Sequence, residues 1–107
     1  MLDISAPQLA AWLDDASRPA PLLLDVRQPW EFETCHLDGA QLLPMHTIPQ
    51  QLAQLDPSAS IVCICHHGAR SLQVAAFLER QGFTGVHNLT GGMHAWALQV
   101  DPEMPTY

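Results

Sequence analysis

Ile61-Val62-Cys63-Ile64-Cys65-His66-His67-Gly68-Ala69-Arg70-Ser71 is the stretch on which the reading of this chain turns. Its first five residues are an unbroken apolar run, the pattern of a strand covered on both faces within a parallel sheet. Ser71 leads into Leu72–Arg80, where Val74, Phe77, Leu78 and Gln81 fall at helical spacing and Gly82 offers a C-terminal stop. Strand, short loop and helix therefore succeed one another without a linker. The same grammar extends outward in both directions. Leu22–Val26 is a second continuous apolar run, and Leu2–Ile4, Ala40–Leu43 and Val86–Leu89 are weaker strand candidates. Ser5-Ala6-Pro7-Gln8 has capping-box spacing ahead of Leu9, Trp12 and Leu13, and Pro29 opens a short helix carrying Trp30, Phe32 and Glu33. Pro49 stands near the start of a helix holding Leu52 and Leu55, stopped by Asp56-Pro57. A last helix follows Gly91-Gly92 and carries Met93, Ala95, Trp96 and Leu98. This alternation predicts an α/β fold, a central parallel sheet of about five strands with helices on both faces, in a single domain over residues 1–107.

Composition narrows the function classes. Hydrophobic residues are 48% and charged residues 14% of the 107, so the chain can build a core and is no solvated tail. No apolar run approaches the ~20 residues of a membrane span, and the N-terminus has neither the basic nor the apolar segment of a secretory signal. A soluble, cytoplasmic protein is expected. Four arginines (Arg18, Arg27, Arg70, Arg80) face eleven acidic residues, giving −7 at pH 7 with no lysine. Such a chain offers no basic stripe to nucleic acid or to an anionic membrane, and neither is expected as a partner. Any anion must be attracted locally. Three cysteines, Cys35, Cys63 and Cys65, are too few for a disulfide framework and are expected to be reduced.

In a parallel α/β sheet, ligands bind outside the carboxyl ends of the strands. That points to Asp25–Gln28, Pro44–Thr47 and Cys65–Arg70. The third carries the chemistry. A strand-to-helix turn aims backbone N–H groups inward, and the following helix adds its positive end, so a thiol at Cys65 has its anionic form favoured. Gly68 permits the positive φ of a curled loop, and Arg70 brings a planar fork suited to an oxyanion. Nucleophile, amide cradle and anion clamp fall within six residues. The competing reading makes Cys65 an inert core thiol at a strand end and Arg70 a solvated side chain.

Cys65–Ser71 has the form Cys-x-x-Gly-x-Arg-Ser and resembles the active-site loop of the rhodanese-like sulfurtransferases. Leu24-Asp25-Val26-Arg27, Glu31-Phe32, His36-Leu37-Asp38-Gly39-Ala40 and Leu43-Pro44 resemble that family's first signature. Asn88-Leu89-Thr90-Gly91-Gly92-Met93-His94-Ala95-Trp96 resembles its C-terminal signature. The resemblance implies the rhodanese-like three-layer fold and a two-step transfer. Cys65 thiolate takes the outer sulfur of thiosulfate or a similar donor, and the persulfide passes it to a thiophilic acceptor such as cyanide or a thiol. It also implies an active-site loop of His66, His67, Gly68, Ala69, Arg70 and Ser71 around that persulfide, and no metal or organic cofactor. Related phosphatases and arsenate reductases place five residues between Cys and Arg, whereas four stand here, and the family comparison makes the narrower loop one for sulfur. A protein partner that delivers or receives the sulfur is the alternative to a free small-molecule donor.

The flanking residues admit more than one part. Arg27, just past a strand, either holds an anionic donor in a pocket or pairs structurally with Glu31 four residues on. Asp25 reads as a loop or helix-end acceptor. His66 and His67 either line the pocket or contribute only their backbone amides. Cys63-x-Cys65-His66-His67 lacks the two separated ligand pairs of a structural zinc site, so no metal is expected there. Cys35 reads as a packing or exposed thiol, and Cys63 as a small core side chain.

Overall fold

The computed structural model describes all 107 residues. Five strands form one sheet: β1 (Leu2–Ile4), β2 (Leu22–Asp25), β3 (Gln41–Leu42), β4 (Ser60–Ile64) and β5 (Gly85–Leu89), in the order β1-β5-β4-β2-β3. Every pairing is parallel. The five helices are α1 (Ala6–Leu13), α2 (Pro29–Thr34), α3 (Ile48–Gln51), α4 (Ala69–Arg80) and α5 (Gly92–Gln99). Alternation along β4 sorts the core. Val62 and Ile64 join Leu9, Trp12, Met93 and Trp96 of α1 and α5 on one face. Ile61, Cys63 and Cys65 join Ile48, Val74, Ala75 and Leu78 of α3 and α4 on the other. A sheet with helices on both faces is the predicted architecture.

Local signals set most element ends. Ser5 caps α1 through its side chain, and Gln8 Oε1 accepts from the Ser5 N–H, completing the capping box. Elsewhere the structure departs from expectation. The segment around Pro49 is not one helix but a 3-10 turn at Met45–Thr47, the four-residue α3, and a second 3-10 turn at Leu52–Gln54. Pro49 lacks the N–H that would bond to Met45 O, so a single unbroken ladder cannot run from Met45 to Gln54. Helix α4 begins at Ala69, behind Gly68 with φ +104, rather than at Leu72 behind Ser71. That shift places Arg70 and Ser71 in the first helical turn. No helix is long and apolar enough to cross a membrane.

Candidate active site

The β4–α4 junction lies at the carboxyl end of the sheet between β2 and β5. Chain continuity puts Cys65 one residue past β4, on the face that α4 covers. Gly68 turns back toward it and donates its N–H to Cys65 Sγ at 3.0 Å. The first residue of α4 follows at once, so the positive end of a twelve-residue helix adjoins the sulfur. A side chain at Gly68 would be strained by the left-handed backbone, and its Cβ would press on Gly91 N at 3.2 Å.

Below the sulfur runs a polar chain. Ser71 Oγ lies 3.3 Å from Cys65 Sγ and donates to Asn88 Oδ1 at 2.6 Å, while Asn88 Nδ2 donates to Gly68 O at 3.4 Å. With the single Ser71 hydroxyl proton committed to Asn88, Ser71 Oγ is an acceptor for a Cys65 S–H. The register explains the placement: Asn88 stands opposite Cys63 and so faces α4 with it. Cys63 is itself fully buried, and burial, reinforced by the neighbouring Cys65, pushes its thiol up to about 12. It is a packing residue, as expected.

Two arginines part company with their expected surroundings. Arg27 is completely buried and presents no face to solvent. Asp25, also fully buried, holds it by two contacts, Nε to Oδ1 at 2.8 Å and an Nη to Oδ2 at 2.6 Å. The guanidinium also donates to Cys35 O at 2.7 Å, to Glu31 O at 3.3 Å and to the Tyr107 hydroxyl at 2.9 Å. Burial opposes its charge, yet the Asp25 and Tyr107 hydrogen bonds outweigh it and raise the pKa. Arg27 thus stitches β2 to α2 and the C-terminal Tyr107, and meets Glu31 only at the main chain. The Glu31 carboxylate reaches instead to Arg70, in a forked pair at 2.7 and 2.8 Å, and accepts from the Tyr107 hydroxyl at 2.8 Å. Arg70 is therefore already engaged by a carboxylate rather than open toward an incoming anion.

Glu31 is held at about 2, first by the Arg70 fork and against the pull of burial. A carboxylate depressed in the folded state stabilises above its unfolded pKa near 4.5 and loses that contribution as pH falls toward 2. Arg70→Ala is therefore expected to lower stability at pH 7 by about 1–2 kcal/mol, allowing for solvent screening at the half-exposed guanidinium. Urea titrations at pH 7 and pH 3 check this. The gap between wild type and variant narrows at the lower pH, and a gap independent of pH contradicts the pairing.

The rim of the loop is aromatic. The His66 ring lies 4.1 Å from that of His67 and 4.3 Å from that of Tyr107, centroid to centroid, and Tyr107 meets Trp30 edge-on. His66 is half-buried, which together with the nearby His67 lowers its pKa. Cys65 beneath this rim is only 1% exposed. The Cys65 thiol is thus enclosed, its side chain pointing inward toward Gly68 and Ser71.

Of the residues singled out in the sequence, Cys65 through Ser71 run together through one loop and the first turn of α4, whereas Arg27 and Cys35 belong to the packing behind α2. Asn88, Glu31 and Tyr107 complete the network without having been assigned to it. Asn88 and Glu31 stood inside the quoted signatures; nothing in the sequence signalled Tyr107.

The rhodanese-like domain model matches residues 5–99. The chain belongs to the rhodanese-like domain family. It is 39% identical over 106 residues to the probable adenylyltransferase/sulfurtransferase MoeZ of Mycobacterium tuberculosis, a match covering 97% of this chain and 26% of that protein. A second relative, the thiosulfate sulfurtransferase GlpE of Stutzerimonas stutzeri, is 35% identical over 75 residues, covering 70% of this chain and 69% of its own. The chain spans under a third of the length of several curated relatives it matches. Among solved structures, a rhodanese-like domain protein from Staphylococcus aureus superposes with a TM-score of 0.82 at 32% identity, over 90% of this chain and 91% of that one.

Proposed function

We propose that this rhodanese-like chain is a thiosulfate-type sulfurtransferase working through a persulfide on Cys65. The observation that carries the reading is the Gly68 N–H at 3.0 Å from Cys65 Sγ, in a loop closed by the start of α4. In the first step the Cys65 thiolate attacks the outer sulfur of thiosulfate. A new S–S bond forms, the old one breaks, and the electron pair leaves with sulfite. In the second step an acceptor such as cyanide attacks the terminal sulfur, takes it as thiocyanate and returns the thiolate. Both displacements balance without an oxidant or a cofactor, and they suit a thiol that serves as nucleophile and as leaving group. The Gly68 amide and the helix end stabilise the negative sulfur without reorganising. His66, His67, Gly68, Ala69, Arg70 and Ser71 shape the loop; Ser71 Oγ positions the Cys65 sulfur, and the thiol proton leaves to water before attack. Since the sulfur is 1% exposed, loading requires the groups above it to move aside.

Intact mass after incubation with thiosulfate and removal of small molecules is the test. A gain of one sulfur, absent in Cys65→Ser, is expected; an unchanged wild-type mass removes thiosulfate as donor. A second reading, transfer from a protein persulfide, draws on the enclosed sulfur, the −7 charge and relatives several times longer than this chain. Loading by a cysteine desulfurase with no loading by thiosulfate selects it.

A further inference from the structure

We infer that His66, His67 and His94 form a binding site for one divalent transition-metal ion of borderline softness, zinc being the test case. Each ring offers one nitrogen, and the three lie within 4.8 Å of one another. The ring centroids are 4.1, 4.9 and 5.9 Å apart. A tetrahedral ion at ordinary zinc–imidazole length wants its nitrogens about 3.3 Å apart, a closure that rotations of two exposed rings can supply. His67 and His94 are those exposed rings, so an ion reaches them from solvent.

The backbone holds two of the three ligands in register. His94 N–H donates to His66 O at 3.0 Å, and the preceding Met93 N–H donates to Cys65 O at 2.9 Å. Helix α5 and the loop are thereby clamped together at the point where their histidines meet, and little ordering is left to the ion. The His66 ring also has an unmet need: its Nδ1 is buried with no hydrogen-bond partner. No protein group competes with an outside ligand for that nitrogen. Charge agrees with a cation. Arg70, the nearby positive group, is matched by Glu31, and the net charge of the chain is −7. Three neutral imidazoles with a fourth position open to water select zinc-like ions over calcium or magnesium.

The expectation of no metal weighed Cys63 and Cys65 as partners of the two loop histidines, and those sulfurs point into the core. The partner is His94, which lies on α5, across the contact between that helix and the loop.

The site stands on these rings alone and is independent of whether Cys65 carries sulfur. Titrating the untagged chain with zinc against a chromogenic chelator is expected to show one ion per chain. His67→Ala and His94→Gln, both at exposed positions, should each weaken binding by about tenfold or more, with the melting temperature of the metal-free chain kept. Cys65→Ser should bind as wild type, and a cobalt-loaded sample should show a tetrahedral visible spectrum without a thiolate charge-transfer band. Absence of stoichiometric binding, binding unchanged in both histidine variants, or binding lost with Cys65 overturns the assignment.

Discussion

Arg27→Ala is expected to destabilise the chain by about 3–5 kcal/mol, a large part of the stability of an ordinary domain of this size. The reason is what the substitution leaves behind. Asp25 is completely buried, and both its carboxylate oxygens face this one guanidinium. Removing the arginine strands a charge in the core and orphans the Cys35 carbonyl, while the Glu31 carbonyl and the Tyr107 hydroxyl lose a donor. A drop in melting temperature of roughly 12–30 °C follows for a domain of this length. The double variant Asp25→Leu/Arg27→Met should recover at least half of the loss, since removing both charges leaves none unpaired. Urea denaturation of the two single variants and the double measures the coupling. A cost under about 1 kcal/mol for Arg27→Ala would show that water reaches Asp25, contrary to its burial.

That pair also marks where local reading of the sequence ends. Residues near in sequence were read well when the signal was the backbone's own: the apolar run of β4, the capping box at Ser5 and the stop at Gly82 are short-range patterns. The loop from Cys65 to Ser71 was legible for the same reason. Partner choice was not. Glu31 stands four residues after Arg27, the ordinary helical spacing of an ion pair, yet its carboxylate joins Arg70, thirty-nine residues on, while Arg27 turns back to Asp25. Which carboxylate an arginine meets depends on how β2, α2 and α4 come together, and no local rule contains that. Tyr107 bonds to groups 76 and 80 residues away, and Asn88 reaches Ser71 across the β5–α4 packing. The degree of enclosure of Cys65 is likewise a tertiary outcome. The start of α4 was misread by three residues for a local reason: a left-handed glycine cap carries no side chain to announce it.

Gly92→Ala is the substitution expected to damage the site most without touching any reacting group. Gly92 has φ +59, and a Cβ there would lie 2.5 Å from His66 O and closer still to Cys65 O. These two carbonyls accept from Met93 and His94, so the new methyl group would enter the seam that fastens α5 to the loop. Neither side can yield cheaply, because both are main chain. Left-handed strain of about 1 kcal/mol adds to an overlap that costs about 1–3 kcal/mol if the helix end moves away. Gly39→Ala supplies the comparison: its φ is +79, but nothing lies within 4 Å of the added Cβ, so strain alone remains. The expected result is a loss of about 2–4 kcal/mol in Gly92→Ala against about 1 kcal/mol in Gly39→Ala. Sulfur loading should fall only in the former, as the displaced loop no longer holds the Gly68 N–H on Cys65 Sγ. Equal losses in the two variants would mean that the contact between α5 and the loop is loose. Normal loading in a destabilised Gly92→Ala would mean that the loop keeps its curl without the helix behind it.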